Sequence, residues 1–158
     1  MTFSPVIISN NILKRAFDEE VSVSPMKLQK LLYFVASDYA KHTGAPLLSE
    51  QFQAWDYGPV VRSVYDEFRS FGGSAIRAYA KDATGASKMV KESKNEDLRE
   101  SLDRIWGKAK DVSAVRLSRI THIEGSAWYN TFQQGRSGSI PDEALRADTT
   151  YIKELNLD

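Results

Sequence analysis

Two histidines, His42 and His122, and the absence of cysteine bound the chemistry open to this chain. His122-Ile123-Glu124 has the His-x-Glu spacing of a zinc deaminase, where the glutamate would move protons for a metal-bound water. That site also needs a downstream Pro-Cys-x-x-Cys, which a chain without cysteine cannot supply. A His-Glu-x-x-His pair on one helix face is missing, so no metal is expected. The sequence holds no P-loop, no dinucleotide-binding glycine pattern and no Gly-x-Ser-x-Gly elbow. An enzyme would have to assemble its site from His122, Asp56 and Tyr57. The expectation is a chain with no catalytic residues, no cofactor and no small-molecule substrate.

The residue types point instead to recognition. Trp55-Asp56-Tyr57-Gly58-Pro59 sets two aromatics beside a stiff Gly-Pro step, which suits an interface anchor because large rings give contact area at low entropic cost. The competing reading puts Trp55 in the core and makes Gly58-Pro59 the start of a helix. Lys27 and Lys30 point away from the apolar stripe of their helix, read as surface residues and could meet acidic groups of a partner. His122, near Trp128, reads as a structural or interface residue, and His42 suits a helix C-terminus. Gly135-Arg136-Ser137-Gly138 fits the Gly-x-x-Gly loop of an RNA-binding KH domain, but lacks the apolar helix pair and sheet around it and reads as a plain loop. Lys108, Lys110, Arg116 and Arg119 read as a solvated face. Lys plus Arg and Asp plus Glu number 21 each, without the basic excess that phosphate binding favours, so a nucleic-acid partner is not expected.

These residues must be positioned by helices. Ser4-Pro5 reads as a helix start, followed by Ile8, Ile12, Leu13, Ala16 and Phe17 at helical spacing. Ser24-Pro25 repeats the signal and opens the strongest helix, about residues 25–43, closed by Gly44 with Pro46 beyond. Leu28, Leu31, Leu32, Val35 and Tyr39 form its core stripe, while Met26, Tyr33, Phe34 and Ala36 add apolar surface elsewhere. A helix apolar on more than one side packs on more than one side, so it belongs at the centre. Phe52 to Trp55 reads as a short strand. A third helix follows Gly58-Pro59 with Val61, Val64, Tyr65, Phe68 and Phe71 on one face, ending at Gly72-Gly73. Residues 74–93 lose periodicity and read as a mobile loop with a short strand near Ile76 to Ala80. Ser93 to Glu96 has capping-box spacing ahead of Leu98, Leu102, Ile105 and Trp106. Further helices are expected at 114–124, from 126, near 141–145 and at 149–155. The 158 residues, 42% apolar and 27% charged, fit one mainly α domain with at most a two-stranded element. No signal peptide or membrane span is visible, and a cytoplasmic chain is expected.

Three blocks together resemble the Panacea (SocA-like, phage-associated GepA-like) antitoxin domain family. The first is Met26-Lys27-Leu28-Gln29-Lys30-Leu31-Leu32-Tyr33-Phe34. The second is Ala54-Trp55-Asp56-Tyr57-Gly58-Pro59-Val60-Val61 with Val64-Tyr65, and the third is Leu117 to His122 with Trp128. Their order and separations agree from about Ile8 to Ile152, although Gly125-Ser126-Ala127 stands where the family often has a proline. The resemblance implies an antitoxin that binds and silences a toxin encoded beside it. Two alternatives are an adaptor that delivers its partner to a protease, and an enzyme acting on the toxin or its target. Some family members add a DNA-binding module, for which 158 residues leave no room, so self-repression at DNA is not expected.

Overall fold

The computed structural model describes residues 1–158. The fold comprises eight helices and a two-stranded antiparallel sheet: α1 (Pro5–Glu19), α2 (Pro25–Thr43), β1 (Gln53–Trp55), β2 (Gly58–Val60), α3 (Arg62–Phe68), α4 (Glu96–Ala109), α5 (Ala114–Thr121), α6 (Ala127–Gln134), α7 (Asp142–Ala147) and α8 (Thr150–Glu154). None is long and apolar enough to cross a membrane.

α2 sits at the centre, as its two-sided pattern requires. Ser24 caps it by accepting from the Lys27 amide, and Gly44 closes it in the left-handed conformation at φ 73°. It packs against α1, α3, α4, α5, α7 and β2. Its Leu28 and its residues from Leu31 to Ala36 belong to one contiguous apolar cluster of 34 buried residues running from Ile8 to Leu155. The C-terminal helices are tied to it by a buried polar network. Asp148 accepts from the Tyr33 hydroxyl at 2.5 Å, the Ala127 amide at 3.2 Å and both donors of Thr150. Ser37 donates to the Leu145 carbonyl at 2.7 Å and accepts from Tyr151 at 2.8 Å. Burial beside Asp148 raises the Tyr33 hydroxyl well above its ordinary range, which keeps it a neutral donor.

Four sequence expectations are corrected. Gly58-Pro59 starts no helix: Gly58–Val60 is a strand in register with Gln53–Trp55, and α3 begins at Arg62. Ser93 does not cap α4, because residues 92–94 form a 3-10 turn. That turn is held by Glu92, which accepts from Arg15 at 2.7 Å and from Asn11 at 2.9 Å. No strand forms at 76–80; Ile76 and Ala80 are buried apolar plugs on a non-repetitive path. Lys27 and Lys30 are not surface residues, being 7% and 1% exposed. Elsewhere in 74–93, the chain is pinned to α1 where Asn10 and Asn11 pair with the backbones of Ala80 and Val90. Ser126 caps α6 by accepting from the Tyr129 amide at 3.0 Å.

Candidate partner-binding site

Asp56 and Tyr57 form the two-residue turn between β1 and β2, with Trp55 opposite Gly58. A two-stranded ribbon is marginal alone, so its neighbours must hold it. On one edge, residues 137–140 run beside β1 through bonds from Ser137 to Ala54, Ala54 to Gly138 and Ile140 to Phe52, each 2.8 Å. The Gly135-Arg136-Ser137-Gly138 segment is thus a hairpin support.

The other support is a set of side chains that reach successive backbone carbonyls. Trp128 Nε1 donates to the Trp55 carbonyl at 2.6 Å, and His122 Nε2 faces that of Asp56 at 3.0 Å. Ser118 donates to Tyr57 at 2.9 Å and Lys30 Nζ to Pro59 at 3.2 Å. Gln29 grips Val61 through both its groups, at 3.1 and 2.9 Å, as a neighbouring strand would. Five carbonyls of the second motif block are therefore held by side chains of the other two, from α2, α5, α6 and the His122 that ends α5. The Lys-Leu-Gln-Lys, Trp-Asp-Tyr-Gly-Pro and Thr-His…Trp segments thus meet at one place in the fold.

Gly58 shows how tight the assembly is. Its φ is +115°, and a Cβ there would lie 2.9 Å from Lys30 Cε and 2.9 Å from Thr121 Oγ1. Only glycine permits both the conformation and the approach.

Of the residues expected to bind a partner, the structure exposes Asp56 and Tyr57 and leaves Trp55 half-buried. Tyr57 is 71% exposed, an unusual state for a large aromatic on an anchored turn. Gly58, Pro59, Lys30 and Trp128 are buried and position the turn. His122 packs tilted against Trp128 with ring centroids 3.9 Å apart, and its Nδ1 lies 2.6 Å from the Ser118 carbonyl. Lys27 is elsewhere, with Nζ donating to the Lys110 carbonyl at the end of α4, where a cation meets the negative end of the helix.

Beside the turn lies a cleft of ≈ 270 Å³ between the start of α2, β2 and α3. Met26, Trp55, Tyr57, Val60, Val64 and Tyr65 line it, along with Lys30 and Arg69. Tyr65 packs edge-on against Trp55 at 4.9 Å, and Arg62 lies 5.8 Å from the Trp55 ring centre. Sequence reasoning placed Tyr65 on the core face; it is 38% exposed, because α3 starts after a strand and its buried side is set by Val64 and Phe68. The burial of Lys30 pushes its ammonium from 10.5 down to about 7, with no carboxylate beside it to offset the desolvation. No group of three or more acidic or histidine side chains is arranged to hold a metal ion.

The fold and site define a small helical domain that presents one clamped, aromatic-tipped hairpin. Residues 28–129 match the family described as Antitoxin SocA-like, Panacea domain, and the chain belongs to that family. It is also similar to Antitoxin SocA of Caulobacter vibrioides (strain NA1000 / CB15N), 32% identical over 124 residues. That match covers 77% of this chain and 66% of the relative's length. No solved structure matches the chain.

Proposed function

We propose that this protein is a cytoplasmic antitoxin that neutralises a cognate toxin, encoded nearby, by direct protein–protein contact. The observation that carries the reading is Tyr57, 71% exposed at the tip of a turn whose carbonyls are held by Ser118, His122 and Trp128. A rigid aromatic loses little freedom on binding, so its contact area converts efficiently into affinity. The relative named an antitoxin and the family's description support a toxin as the partner. Trp55 and Asp56 complete the tip, and the clamping residues act through it.

Titration of the purified toxin with this protein tests the reading. Contact neutralisation requires at least equimolar antitoxin and yields a stable complex. Full protection at a small fraction of the toxin's concentration, abolished by His122→Ala in a folded chain, would replace it with an enzyme. Protection that appears only when a protease is added, with loss of the toxin, would replace it with an adaptor.

A further inference from the structure

The cleft beside Tyr57 has a composition unlike the chain around it. The whole protein balances 21 cations against 21 carboxylates, yet the charged residues lining this cleft are Lys30 and Arg69, with no Asp or Glu. The remaining walls are largely apolar or aromatic. Arg69 is exposed and makes no ion pair or side-chain hydrogen bond. Lys30 is 1% exposed and satisfies one of its three ammonium donors, through the Pro59 carbonyl. A buried cation without a counter-charge is costly, and it is ordinarily paired.

We propose that this cleft takes an acidic side chain of the partner, a glutamate or aspartate flanked by apolar residues, with Arg69 at the mouth and Lys30 at the floor receiving the carboxylate. The inference rests on the contact reading above and names the chemistry of what is contacted. A side-chain carboxylate fits better than a chain terminus. Its methylene stem matches walls such as Met26, Val60 and Val64, whereas a terminus would bring a peptide N–H into the same apolar throat and leave it unpaired. Neighbouring apolar residues of the partner would cover Tyr57 and Tyr65. Burial that holds the ammonium near 7 makes the free protein short of a counter-ion, and an entering carboxylate restores the charged form.

The test uses random dodecapeptides displayed with blocked C-termini and panned on the wild-type chain, on Arg69→Gln and on Lys30→Met, each checked for a cooperative melting transition. The expected wild-type consensus is Asp or Glu between apolar residues. Synthetic peptides of that consensus should weaken about thirtyfold on Glu→Gln, and by a similar factor against Lys30→Met, without adding when both changes are combined. Arg69→Gln, at a site with no structural bonds, should weaken them several-fold and is read even where Lys30→Met fails to fold. A consensus without a carboxylate, no enrichment at all, or equal binding to Arg69→Gln and wild type would overturn the proposal. Acidic peptides that bind while the toxin does not would leave the cleft standing and remove the antitoxin reading.

Discussion

Replacing Lys30 by Met should make the free protein more stable, and more so in acid than in base. The lysine is fully buried, with its ammonium at about 7 in place of 10.5, so the folded chain disfavours that charge by about 5 kcal/mol. Methionine has a similar length, fills the same apolar channel and needs no counter-charge. Against this, the Pro59 carbonyl loses its donor, which costs about 1 kcal/mol. The net expectation near neutral pH is a gain of roughly 3 kcal/mol. Its pH dependence follows from linkage. Below about 7 the folded wild type carries the charge it disfavours, and the penalty is full. Between about 7 and 10.5 the folded lysine is neutral while the unfolded one still binds its proton, so wild-type stability rises with pH. Arg69, Tyr57 and Tyr65, the other titratable groups of the cleft, are common to both chains and cancel in the difference. Denaturant unfolding at about pH 6 and about pH 9 should therefore show the advantage of Lys30→Met shrinking by roughly 2–3 kcal/mol. A variant less stable than wild type, or an advantage independent of pH, would refute the buried, unpaired cation.

Gly58→Ala should cost about 2–5 kcal/mol, since it combines a disfavoured φ with a Cβ pressed on Lys30 and Thr121; an unchanged denaturation midpoint would count against that packing. Asp148→Ala leaves the Tyr33 hydroxyl and the Ala127 amide without their buried acceptor and should lower stability by about 3 kcal/mol or more; calorimetric melting would measure it, and a shift of under a degree would show that the network is dispensable. Hydrogen exchange should be fast at the exposed Ser87 and Lys88 amides, which have no acceptor, and slow at the Ala80 and Val90 amides, which donate to Asn10 and Asn11; uniform protection across 80–90 would contradict that pinning.

What the sequence revealed and what it hid follow from the range of the interactions. α2 was legible because burial on several sides leaves a dense local pattern, and Ser24, Pro25 and Gly44 mark its ends with residues suited to helix termini. The same local grammar failed at Gly58-Pro59. A glycine-proline step fits a helix start and a turn entering a strand equally well, and the choice is made by Gln29, Lys30 and Thr121, which no window around residue 58 contains. The capping-box spacing at Ser93 lost to Arg15 and Asn11, which hold Glu92 from another helix. In the site, aromatic composition singled out Trp55, Tyr57 and Trp128 alike, and only the fold separates the exposed ring of Tyr57 from the buried, clamping ring of Trp128. Lys30 was misassigned because a lysine at a polar helix position ordinarily reaches solvent; here β2 covers it.

The central claim is that the hairpin tip grips the toxin. Calorimetric titration of the toxin with wild type, Trp55→Ala and Tyr57→Ala, alongside melting of each chain, tests it most directly. Tyr57 makes few structural contacts at 71% exposure, so Tyr57→Ala should melt as wild type does yet bind at least thirtyfold more weakly, about 2 kcal/mol. Trp55→Ala should lose affinity too, with some stability because Trp55 packs on Tyr65. Wild-type affinity in a correctly folded Tyr57→Ala would contradict the account.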